Sequence, residues 1–202
     1  MADLLIDNQT VPTTPAASKS VVYVDSTTKK LVLVDDAGLV RGTLSRNAAT
    51  ASQAPAATDT YVTNSGLLIP SCGMKAGQLY RWRITLSKTA AGVAATIFTV
   101  RIGAAQSVAD TSRLALTSSV VQTGAVAEGT IFVDIGVRNV SATGVIAGGF
   151  AVAAPVGLGG GKDGVSAAFD NTALAGQYVG LSVTPGASAA WTITHVDAEL
   201  IG

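Results

Sequence analysis

Few residues in this sequence are equipped for chemistry. There is one cysteine, Cys72, and one histidine, His195. Together they would supply the nucleophile and base of a thiol mechanism. His195 could equally serve a serine. Either scheme also needs an orienting third group within hydrogen-bond reach. No Gly-x-Ser-x-Gly segment is present to support one. His195 follows Trp191 and Ile193 at a period of two, which reads as an ordinary position in a C-terminal strand. Cys72 reads as a small buried apolar group, and a single cysteine excludes an intrachain disulfide.

The run Gly157-Leu158-Gly159-Gly160-Gly161-Lys162-Asp163-Gly164 resembles a phosphate loop at first sight. Asp163 follows the lysine where Ser or Thr is required, and Val156 stands in place of the first glycine. Gly159, Gly161 and Gly164 fit Gly-x-Gly-x-x-Gly, but that motif works only where it opens a helix. Val165–Asp170 has no helical pattern, so the segment reads as a surface loop. Metal-ligand spacings are missing too: no His-x-x-x-His, no Cys-x-x-Cys and no EF-hand run. Asp163, Asp170 and Asn171 are oxygen ligands of the kind calcium takes, and they are also common turn residues. The expectation is a protein with no catalytic residues, no metal and no cofactor.

Tyr80 and Trp82 fall on one face with Ile84 and Leu86, which points to core rather than to a sugar-stacking face. Arg81, Arg83, Arg101 and Arg138 fall opposite the apolar rows, with Asp134 among them. Two readings of that set stand side by side. One is a solvated outer sheet face. The other is an ionic layer at a subunit interface, where arginine forks meet carboxylates.

These residues are positioned by strands. Val21-Val22-Tyr23-Val24, Leu31-Val32-Leu33-Val34 and Leu39-Val40-Arg41-Gly42 alternate with turn residues and predict a three-strand meander. A meander of that size cannot stand alone and needs a partner surface. Residues 1–20, with Pro12 and Pro15, read as an extended arm. Residues 43–58 are rich in Ala, Ser and Thr and read as a linker, in preference to a short helix. From 59 to 202 the sequence carries about eight strands. Gln78–Lys88, Ala94–Gly103 and Thr130–Asn139 alternate with period two, and others fall at 61–62, 67–69, 144–153, 177–184 and 189–201. A short helix is expected within 104–119. The fold class is therefore all-β: an N-terminal extended arm and small β-meander (1–42), a linker (43–58), and an antiparallel, jelly-roll-like β-sandwich (59–202).

The 202 residues carry only 13% charged side chains, against roughly 25% in an average protein. The formal net charge is zero. Such a chain lacks the field that draws nucleic acid, and low charge suits packing into an assembly. No stretch approaches the ~20 apolar residues of a membrane span. The opening Met1-Ala2-Asp3 predicts no secretory leader, and the lone cysteine fits synthesis in a reducing cytoplasm.

Thr14-Pro15-Ala16-Ala17, Val21 to Leu31 and Asp35-Asp36-Ala37-Gly38 together resemble the N-terminal attachment segment of tailed-bacteriophage virion proteins. The pattern Ala76-Gly77-Gln78-Leu79-Tyr80-Arg81-Trp82-Arg83, with Val100-Arg101-Ile102-Gly103 and the ending Trp191 to Ile201, resembles the β-sandwich of head-decoration and head-fibre proteins. The resemblance implies a homotrimer on the capsid surface, made in the host cytoplasm, with the major capsid protein of the same particle as its partner. It implies attachment through the N-terminal segment, for which Val21, Val22, Tyr23, Val24, Leu31, Val32, Leu33 and Val34 are the candidates; the subunit-interface reading of Arg81, Arg83, Arg101, Asp134 and Arg138 rests on the alternation of strand faces. The resemblance transfers no catalytic residue. The alternative is a tail-fibre or receptor-binding protein that recognises a host glycan.

Overall fold

The computed structural model describes residues 8–9, 16–25, 31–34, 40–41, 43–89, 94–118, 126–153, 162–186 and 190–202. Among these there is no helix. Fifteen strands follow one another: β1 (Asn8–Gln9), β2 (Val21–Asp25), β3 (Leu31–Val34), β4 (Val40–Arg41), β5 (Thr43–Ala49), β6 (Thr60–Tyr61), β7 (Leu67–Leu68), β8 (Leu79–Lys88), β9 (Ile97–Gly103), β10 (Thr111–Thr117), β11 (Val126–Asn139), β12 (Val145–Val152), β13 (Lys162–Val165), β14 (Tyr178–Thr184) and β15 (Trp191–Ile201).

Two antiparallel sheets pack face to face. One has the order β13-β12-β11-β8-β15-β5; the other runs β10-β9-β14-β6, with β7 also on β14. Period-two alternation drives this packing. On β8, Tyr80, Trp82, Ile84 and Leu86 are wholly buried, and Arg81, Arg83 and Thr85 point out. Ile131, Val133, Ile135 and Val137 of β11 continue the same inner face, and Phe98 and Val100 of β9 meet it from the other sheet. Phe98 touches both Phe150 (ring centroids 5.2 Å) and Trp191 (6.3 Å), so one ring bridges the two layers. Each such pair adds about 0.5–1.5 kcal/mol beyond burial.

The open sides of the sandwich are closed differently. On one, β10 lies against β13, and Gly164 leaves room for Leu114 and Leu116, whose methyls lie 3.2 and 3.1 Å from where a Cβ would sit. On the other, Asn47 Nδ2 donates to the Gly66 carbonyl (3.2 Å) and Asn64 Nδ2 to the Ala48 carbonyl (3.3 Å).

Three expectations need correction. Residues 43–49, read as the start of a linker, form β5 and pair with β15 from Thr43↔Ile201 to Ala49↔Val196. An edge strand is held by its backbone ladder, so small and polar side chains suffice and no apolar alternation is required. Residues 104–119 hold no helix; Thr111–Thr117 is β10, with Leu114 and Leu116 inward and paired on β9. The third concerns phase. On β15 the register jumps between Ile193 and His195, making Thr194 a bulge. The inner face therefore reads Trp191, Ile193, Val196, Ala198 and Leu200, while His195 lies half-buried beside Thr85.

A smaller sheet precedes the sandwich. β2, β3 and β4 pair antiparallel as the expected meander, and β1 adds to β2 in parallel. The rest of the arm, residues 1–7 and 10–15, lies outside the described residues.

Candidate functional site

The cysteine and the histidine lie apart. Cys72 is half-buried beside Tyr80 on the inner side of β8, with its thiol on the Gly73 carbonyl. His195 sits at Thr85, five residues further along that strand, roughly 17 Å away. Tyr80 and Trp82 stack in the core and present no face to solvent. Of the glycine run, residues 157–161 lie outside the described residues, and Lys162 to Val165 form a strand.

Two of the three residues of the kind calcium takes have separate employment. Asn171 is wholly buried; its Oδ1 accepts from Ser141 N and its Nδ2 donates to the Asn139 carbonyl, both at 2.9 Å. Asp170 accepts from the backbone and hydroxyl of Thr172, which hold its carboxyl below the usual range. Among the described residues no group of three His, Cys, Asp or Glu side chains is placed to hold a metal ion.

The arginine set divides between two surfaces. Arg81, Arg83 and Asp134 stand on the outer face of the six-stranded sheet. Arg81 lies in register between Asp134 on β11 and Glu199 on β15. Its Nε reaches Asp134 Oδ1 at 3.0 Å and its Nη1 reaches Glu199 Oε1 at 3.4 Å. The hydrogen bond that Arg81 donates to Asp134, then the charge of that carboxylate, raises the Arg81 pKa. Pairs this exposed contribute only about 0–1 kcal/mol each. In the next row Phe132, Arg83 and Asp197 are cross-strand neighbours, and Asp197 is held by Arg46 of β5 through two contacts of 3.0 Å. Arg138 is exposed near the end of β11.

Arg101 belongs to the other sheet. Its side chain is only 12% exposed. It donates to Ser182 Oγ (2.8 Å) and to the carbonyls of Val108 (2.9 Å) and Asp110 (2.7 Å), and pairs with Asp59. The Asp110 carboxylate in turn accepts from the backbone of Ala105 and Ser107. Arg101 thus fastens the 104–110 turn onto the sheet from within the chain.

Among the attachment candidates, Tyr23 is 1% exposed and belongs to the core, whereas Val22 (50%) and Leu31 (63%) are open to solvent. Strand register puts Val22 opposite Leu33 and Val24 opposite Leu31, so these four share one face of the small sheet. Val21 lies on the Tyr23 face; Val32 and Val34 pair in register with Tyr23 and Val21, and their side chains lie outside the described ones.

One feature escaped the sequence reading. Between β11, β12 and β13 the outer face carries a pocket of about 190 Å³, lined by Phe132, Asp134, Gly149, Phe150, Ala151 and Asp163. The outward alternation of Phe132 and Asp134 was visible in β11, but their pairing with Gly149 and Asp163 depends on long-range register.

The architecture is that of an antiparallel β-sandwich with a small accessory sheet. Compared with protein-family models, with curated proteins and with solved structures, the chain matches none.

Proposed function

We propose that this chain is a non-catalytic structural protein of a tailed-bacteriophage virion that decorates and stabilises the capsid surface. The observation that carries the reading is the small N-terminal sheet. One side of it buries Tyr23, and the other leaves Val22 and Leu31 open to water beside Val24 and Leu33. Burying the exposed half of Val22 and of Leu31 on a partner returns roughly 1–2 kcal/mol each. One such contact is shallow, but many copies on a lattice multiply its effect. The partner in this reading is the major capsid protein of the same particle, and the decorating unit is a homotrimer.

The test is electron microscopy of parent particles labelled with antibody against the full chain, together with particle co-sedimentation of Val22→Asp/Leu31→Asp. Label over the head and loss of co-sedimentation by the double variant are expected. Label confined to the tail, or undiminished co-sedimentation, overturns the proposal.

A further inference from the structure

We infer that the pocket on the outer face of the six-stranded sheet is a binding site for a neutral carbohydrate, one sugar ring deep. This goes beyond the decoration role and does not rest on it.

The floor is Gly149. Asp134, Gly149 and Asp163 are cross-strand partners in one row, so the two aspartates flank the glycine about 10 Å apart at the backbone, two strand spacings. Asp163 leans inward: its Oδ1 lies 2.1 Å from where a Gly149 Cβ would be. Any side chain at 149 would fill the space that the carboxylate now borders. The neighbouring row supplies Ala151 and the half-buried ring of Phe132.

A sugar ring needs these two kinds of wall. Its C–H face packs on an aromatic surface, and its hydroxyls donate well to ionised carboxylates. A few fixed polar groups against an apolar wall is the usual make-up of a small-molecule site. The charge balance selects a neutral ligand over a cation. Arg81 holds Asp134 at 3.0 Å, and Arg83 stands directly across from Phe132. With Glu199 shared on Arg81 and Asp197 held by Arg46, the surrounding charges, three guanidiniums and four carboxylates with Asp163, come close to balance. A lysine or arginine side chain would find Asp134 already compensated by Arg81, whereas a polyol can donate to Asp163 while its C–H face packs on Phe132.

The experiment is saturation-transfer NMR on the full chain with methyl glycosides of glucose, galactose, mannose and N-acetylglucosamine, and with lysine amide and arginine amide in parallel. Transfer to the ring protons of at least one glycoside is expected, with affinity about tenfold weaker in both Asp163→Ala and Phe132→Leu. Asp163 is exposed on a short edge strand, so its variant keeps the fold. Thermal melting checks Phe132→Leu, and Ser112→Ala on the other sheet serves as the unaffected control. No transfer to any glycoside, undiminished binding in either variant, or transfer to the amides alone overturns the inference.

Discussion

The indole Nε1 of Trp82 donates to the carbonyl oxygen of Ser65 at 2.7 Å, and both residues are wholly buried. Trp82 lies on the six-stranded sheet and Ser65 on the turn between β6 and β7. The Ser65 hydroxyl also accepts from Leu181 N (3.0 Å) and donates to Leu181 O (3.2 Å). One polar node therefore ties the two layers together inside an apolar core. Trp82→Phe should cost at least about 2 kcal/mol, because it strands a carbonyl and opens a void. Ser65→Ala should cost about 1–3 kcal/mol. Urea unfolding checks both, with the midpoint falling and the slope unchanged.

Arg101→Met should destabilise by about 2–3 kcal/mol. That is less than the ~3–5 of a fully buried pair, because Asp59 keeps some access to water. Arg101→Lys should recover little, since an ammonium has three donors for the four acceptors that the guanidinium serves. Hydrogen exchange separates this from a general loss of stability: protection should fall first at residues 105–110, the turn that Arg101 fastens.

Gly144→Ala should destabilise by about 1–3 kcal/mol. Its new Cβ would lie 2.2 Å from Asn171 Oδ1, and that amide is buried and bonded on both ends. Combining Gly144→Ala with Asn171→Ala should cost less than the sum of the single changes. A double-mutant cycle with a coupling energy near zero would refute the clash.

Alkaline pH should act through two buried groups, Tyr80 and Lys88, and the half-buried Tyr61. Burial pushes the Tyr80 hydroxyl far above its ordinary 10.0, and chiefly burial raises Tyr61 too. In the unfolded chain both ionise at their ordinary value and in the native protein later, so stability present below pH 10.0 is lost as pH climbs above it. Lys88 has the opposite sign. Burial lowers its pKa, so the unfolded chain holds that proton up to 10.5 and the native protein releases it earlier. Stability from this group rises with pH just below 10.5. The part of the phenolate absorbance that comes from Tyr61 and Tyr80 should therefore appear together with unfolding rather than ahead of it. The Tyr80 hydroxyl has no hydrogen-bond partner among the described residues, so Tyr80→Phe should be neutral or stabilise by up to ~1 kcal/mol at neutral pH.

The strands that bury one whole face were legible in the sequence. β8, β9 and residues 131–137 of β11 alternate without interruption, and their inner residues are those that period two assigns. β5 was not legible, because its side chains carry no pattern and its partner β15 lies about 150 residues away. The bulge at Thr194 was equally hidden: one inserted residue turns His195 off the core face without any change in composition. The outer-face charges were legible as a set, but not their division between two sheets. Arg81 and Arg101 look alike in an alternating strand, and only topology gives one of them solvent and the other a buried turn. The Asp163 side of the pocket depends on β13 folding back along β12, which no local signal announces.

The place of β15 between β8 and β5 governs the order in which the molecule can be assembled. Strands from residues 43–49 and 79–88 must wait for residues 191–201 before either gains its shared neighbour. During synthesis the ribosome therefore holds a chain with two unsatisfied strand edges until nearly all of these residues have emerged. A topology this rich in distant pairings belongs among the slow folders, on the order of milliseconds to seconds. Throughout that wait the open edges are templates for other copies of the same chain. The low net charge, which does little to keep copies apart, makes yield in the cell depend on how quickly β15 arrives.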